Sequence, residues 1–120
     1  MKEFNVIICG SREWTDYDTL KEKCDIFLKN KLSDPDIKVT IISGGARGAD
    51  TLGEKYAAER GLAVKVFPAK WEKYGKRAGY LRNLDMAELG NAVIAFYCAE
   101  AENKGTKMMV RIGKIGRAHV

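Results

Sequence analysis

A chain of 120 residues with a net charge of +5, 46% hydrophobic and 31% charged, has the length and composition of one ordinary folded domain. No segment approaches the roughly 18 to 20 consecutive apolar residues of a membrane-spanning helix, so no membrane association is expected. The three cysteines, Cys9, Cys24 and Cys98, are widely spaced, and the single histidine, His119, stands beside the C-terminus, so neither a disulfide framework nor a metal site is expected.

Met1 leads through two charged residues into an apolar run that meets a glycine turn in place of a small-residue cleavage site, and a cytoplasmic protein is expected. The basic balance favours anionic partners. Lysines and arginines nevertheless alternate with acidic residues along the chain, as they do on solvated helix faces.

In chain order, Phe4 to Cys9 reads as a buried strand, and the turn Gly10-Ser11-Arg12 follows. Leu20, Cys24, Phe27 and Leu28 then recur at helical spacing behind a cap at Thr15 or Asp16, predicting a helix from about Asp16 to Leu32. A loop at Ser33-Asp34-Pro35-Asp36 precedes a second strand, Lys38 to Ser43, and the glycine-rich run from Ser43 to Asp50 opens a second helix that stops at Gly61. A third strand covers Ala63 to Phe67, a third helix about Arg77 to Leu89, and a fourth strand Ala92 to Tyr97, and all four strands read as buried. A fourth helix is expected from near Thr106, carrying Met108, Met109 and Ile112.

Strands rich in Val and Ile that alternate with helices need crossover connections. These give an α/β fold, a Rossmann-like doubly wound parallel sheet, here as a single small domain over residues 1–120. Ligands of such sheets bind at the carboxyl ends of the strands.

Two loops leave such ends. In the first, Gly10 permits a tight turn, Ser11 offers a hydroxyl, and Arg12 can place two hydrogen bonds on a phosphate or carboxylate. In the second, Gly44-Gly45-Ala46-Arg47-Gly48 runs into a helix N-terminus, where backbone amides and the helix dipole favour an anion. The alternative is that the glycines only make tight strand-to-helix turns. The loop is neither the G-x-G-x-x-G fingerprint nor a Walker loop, so ordinary NAD and NTPase readings are disfavoured. Asp50 either accepts hydrogen bonds from a ribose or caps its own helix.

The stretches CGSREW (9–14), ISGGARGADTLGEKYAAERG (42–61), FPAKWEKYGKRAGYLRN (67–83) and NKGTK (103–107) together resemble the SLOG superfamily, in particular its YspA-like branch. That resemblance implies a Rossmann-like domain binding nucleotides or nucleotide-derived molecules, with no further cofactor. It places Ser11, Arg12, the loop from Gly44 to Asp50, Arg82, Asn83, and Lys104, Gly105 and Thr106 around one pocket. Arg82 and Asn83 are expected near the start of the third helix, where surface solvation or capping is their alternative role. Trp71 and Tyr74 either stack on a base or form a hydrophobic lid. Lys104-Gly105-Thr106 is either a second anion site or a helix cap.

Two departures from the family pattern stand out. Gly90-Asn91 occupies a place where an acidic residue is expected, and the residues after the fourth helix leave the sheet short of a last strand. An incomplete sheet edge would be covered by a second subunit, and a homo-oligomer is expected.

Three functions compete. The first is a sensor or sequestering protein for a nucleotide-derived signal, of the ADP-ribose or cyclic-nucleotide type, with a role in conflict between bacteria and phage. The second is an N-glycosidic phosphoribohydrolase, disfavoured because Glu54 is displaced from the P-G-G-x-G-T-x-x-E pattern of those enzymes. The third is single-stranded DNA binding, as in DNA-processing protein A, disfavoured by the lack of a long arginine and aromatic track.

Overall fold

Side chains alternate across a strand, and in β1 (Lys2–Gly10) both sets are apolar over Val6–Cys9. Val6 and Ile8 point into one core cluster while Ile7 and Cys9 point into another, so the strand needs a cover on each face. The first cover is made by α1 (Tyr17–Leu32) and α2 (Ala49–Arg60), which bury Leu20, Cys24, Leu28 and Tyr56. The second comes from α4 (Ala78–Leu89), through Met86 and Ala87. The computed structural model describes residues 1–96, and all structural statements refer to them.

The sheet is wholly parallel, with order β3-β2-β1-β4, where β2 is Ile37–Ser43, β3 is Ala63–Val66 and β4 is Ala92–Phe96. The chain steps outward from β1 to β3, then returns across the sheet to lay β4 on the other side of β1. This reversal puts the helices on opposite faces and opens a crevice between the carboxyl ends of β1 and β4. Gly10 and Phe96 are register partners there, and the Ser11 amide donates to the Phe96 carbonyl at 2.9 Å.

Local signals end the helices as read from sequence. Asp16 caps α1, accepting from the Thr19 amide at 3.0 Å, and Gly61 ends α2 in the left-handed region. A carboxylate bridge ties the two helices together: Asp25 of α1 pairs with Arg60 of α2 and accepts from the Tyr56 hydroxyl at 2.7 Å.

Two expectations need correction. First, β3 is not buried: Ala63, Val64, Lys65 and Val66 are all exposed, because β3 is the sheet edge and α4 packs over β1 instead of reaching across to it. Second, the segment before α4 is not a plain loop. It folds into α3 (Trp71–Tyr74) and a 3₁₀ turn (Gly75–Arg77), so α4 begins one residue later than expected. Arg82 and Asn83 are the fifth and sixth residues of α4.

Tyr97, Cys98, the expected fourth helix with Met108, Met109 and Ile112, the Lys104-Gly105-Thr106 segment and His119 lie outside the described residues.

Candidate functional site

The two loops predicted to bind an anion pack directly on each other. The Ala49 amide at the start of α2 donates to the Ser11 carbonyl at 3.2 Å. Gly48 makes this approach possible: its φ of 82° is a conformation that side chains rarely adopt, and a Cβ there would collide with the Ser11 carbonyl oxygen and sit 2.6 Å from the Arg12 carbonyl carbon. The first helical turn of α2 and the β1 loop are therefore one surface, at the crevice where the strand order reverses.

Arg82 reaches this surface from the opposite face of the sheet. Its Nη1 donates to the Gly44 carbonyl at 2.6 Å, and its Nε donates to Asn83 Oδ1 at 2.8 Å. Asn83, only 4% exposed, thus orients the guanidinium. Gly44 must lack a side chain for this contact, because a Cβ would lie 2.8 Å from both Arg82 Nη1 and Asp50 Oδ2.

Asp50 is 6% exposed and turns back into the loop, where its Oδ2 accepts from the Ala46 amide at 3.4 Å. It is not the cap of α2; that position belongs to Gly48, which offers no side chain. Burial pushes its carboxyl up to about 6, against the opposing pull of the Ala46 and Gly10 amides and of Arg82, while Glu54 adds to the rise. Ser43 joins the two acids to the loop, donating from Oγ to Glu54 Oε2 at 2.7 Å and accepting from the Gly45 amide at 3.1 Å.

Arg82 carries the complementary imprint. Burial lowers its pKa most, Asp50 holds it up, and the Arg12 guanidinium repels it. Arg12 is itself exposed at the mouth of the crevice. Arg82 Nη1 and Asp50 Oδ2 both face Gly44, each 2.8 Å from where a Cβ there would stand, and the Arg12 backbone lies against Gly48 of the same loop. Beneath them the Cys9 thiol is pushed well above its ordinary pKa by burial and then by Asp50, which leaves it protonated.

Gly10, Ser11, Arg12, Gly44, Gly45, Ala46, Gly48, Asp50, Arg82 and Asn83 are brought together here. Arg47 is turned outward, its side chain 77% exposed and 3.9 Å from Glu13, a surface pair of small energetic weight. Trp71 is 54% exposed, and its ring edge lies over Gly79 at the start of α4 rather than over the glycine loop. Asn91 lies at the amino end of β4, at the opposite end of the sheet; its Oδ1 accepts from the Asn5 amide at 2.8 Å, a strand-joining role in which no carboxylate is needed.

Sequence reasoning assigned no role to Ser43, and it set Glu54 aside on its spacing. A signal for Glu54 was present, since Asp50 and Glu54 are one helical turn apart and so share a face of α2.

A family model described as YspA, cpYpsA-related SLOG family matches residues 4–74, from β1 through both glycine loops to the end of α3. The chain belongs to the YspA, cpYpsA-related SLOG family. Membership of this SLOG family carries the general character of a nucleotide-ligand-binding domain. The SLOG chain is also 36% identical over 90 residues to "Gene 61 protein" of Mycobacterium phage D29, a match spanning 71% of this chain and 69% of the phage protein. No solved structure matches it.

Proposed function

We propose that this SLOG domain binds the phosphate of a nucleotide-derived signalling molecule at the Gly10–Arg12 and Gly44–Asp50 loops and acts as a sensor or sequestering protein. The observation that carries this reading is the packing of the two loops into one crevice, with the Ala49 amide on the Ser11 carbonyl and the Arg82 guanidinium on the Gly44 carbonyl. An anion held at these loops would gain charge-assisted contacts from Arg12 and Arg82. The loop amides and the N-terminal dipole of α2 act in the same direction.

A compact crevice beside one helix N-terminus suits a single nucleotide or cyclic nucleotide better than a strand. A role in conflict between bacteria and phage belongs to the same reading and rests on the sequence resemblance alone. The buried, unbridged thiols of Cys9 and Cys24 suit a cytoplasmic setting, and among the described residues no helix is long and apolar enough to cross a membrane. The exposed outer edge of β3 supports a homo-oligomer.

A second reading, cleavage of an N-glycosidic bond, gains from Asp50. A carboxyl with a pKa of about 6, next to a phosphate loop, is poised to donate a proton to a departing base near neutral pH. Native mass spectrometry of the freshly purified protein, followed by incubation with nucleotides, cyclic nucleotides and ADP-ribose derivatives, separates the two. Retention of an intact compound supports the sensor; its conversion to free base and sugar phosphate supports the enzyme. If nothing is retained, the loop reading falls.

A further inference from the structure

A cavity of about 550 Å³ lies between the carboxyl end of β3 and α4, well within the size range of small-ligand sites. It adjoins the glycine loop at two points. Arg82 lines it while donating to the Gly44 carbonyl, and Val66 lines it with a methyl 3.2 Å from where a Gly45 Cβ would stand. Phe67 and Leu81 supply apolar walls and Tyr74, 40% exposed, an aromatic one.

α4 presents Ala78, Leu81, Arg82 and Asp85 to this space, the spacing of one helix face. Asp85 is the one carboxylate among its lining residues, set against Lys70, Arg77 and Arg82. A carboxylate only accepts hydrogen bonds, and with two oxygens it matches an edge that carries two adjacent donors. Among the common bases guanine has such an edge, at N1–H and the 2-amino group. Adenine sets an acceptor beside its amino group, and that acceptor would face the carboxylate.

We propose that this cavity is the base-binding half of the site and that Asp85 selects a guanine-type base. The proposal rests on the reading of the glycine loops as the phosphate site. The phosphate lies at the loops, the sugar passes Arg82, and the base enters between Tyr74 and the apolar wall, with its donor edge towards Asp85.

Isothermal titration of the full chain with GMP, AMP and ribose 5-phosphate tests this. GMP should bind about 10-fold or more tighter than ribose 5-phosphate, the increment expected of one base stacked on an aromatic ring. Tyr74→Ala should erase most of that increment. Asp85→Asn, at an exposed helix position where folding is not at stake, should weaken GMP several-fold, leave ribose 5-phosphate unchanged and remove the preference over AMP. Arg12→Ala should weaken all three compounds together.

Equal affinity for GMP and ribose 5-phosphate, with both lost in Arg12→Ala, overturns the cavity proposal while the loop reading stands. So does a GMP preference that Asp85→Asn leaves intact. If none of the three compounds binds the wild type, the loop reading fails and the base site fails with it.

Discussion

The Arg82 guanidinium donates to the Gly44 carbonyl oxygen across 2.6 Å, a bond that fastens α4 on one face of the sheet to the glycine loop that opens α2 on the other. Each partner shapes the other's requirements. Gly44 must be bare for Arg82 to approach, and Arg82 must be held by Asn83 to reach Gly44.

Arg82→Ala should therefore act on both fold and ligand. Loss of a hydrogen bond from a charged donor removes roughly 1.5 to 3 kcal/mol. Urea unfolding should show a loss in that range, and nucleotide affinity should fall by more than the destabilised fraction of protein accounts for. Arg82→Lys keeps the charge without the fork and should recover stability better than affinity.

Gly48→Ala should destabilise the domain by about 2 kcal/mol or more, because a side chain there meets both an unfavourable φ and the Ser11–Arg12 backbone. The expected signature is a lower urea midpoint together with weaker nucleotide binding. A midpoint equal to that of the wild type would mean that the two loops are not packed as described.

Asp50 makes stability depend on pH with a defined sign. Its folded pKa of about 6 lies above the ordinary 3.8, so between these values the folded state holds a proton that the unfolded state has lost. The associated stabilisation is fully present below about 3.8 and is lost as pH rises through about 6. The span corresponds to about 3 kcal/mol at most. Asp50→Asn does not titrate, so its stability relative to wild type should rise from pH 4 to pH 7.5; a difference that stays constant over that range would contradict the assignment.

β3 exposes Val64 and Val66, at 47% and 43%, on the free edge of the sheet. Light scattering should return a mass above that of one chain, and Val64→Asp should move it towards the monomer. A wild-type monomer at working concentration would count against association through this edge.

Much of the fold was legible because its signals are local. The apolar runs of β1, β2 and β4, the Asp16 cap and the Gly61 stop each act through neighbouring residues, and the alternation of strands and helices then fixes a parallel sheet. The exposure of β3 was not legible, since Ala63–Val66 has the composition of a central strand and only the strand order reveals it as an edge. Short α3 was not legible because four residues, Trp71–Tyr74, are too few to show a helical period.

The candidate site divides in the same way. Gly10 to Arg12 and Gly44 to Asp50 were visible as motifs, because loop amides are a property of consecutive residues. The contact of Arg82 with Gly44, 38 positions apart, depends on which sheet face α4 occupies. Arg47 illustrates the converse: its place in the motif gave no information about its direction, and it turns towards Glu13 and solvent.

The central claim is that the paired loops, with Arg12 and Arg82, hold a nucleotide's phosphate. It is tested most directly by the melting temperature of wild type and Arg12→Ala across a panel of nucleotides, cyclic nucleotides and ADP-ribose derivatives. A ligand at about 100 times its dissociation constant adds about 2.7 kcal/mol, which for a domain of this size is a rise on the order of 10 °C. The account predicts such a rise for at least one phosphate-bearing compound in the wild type, and its loss in Arg12→Ala, whose melting point without ligand should be little changed. No rise with any compound, or a rise that Arg12→Ala retains in full, would contradict it.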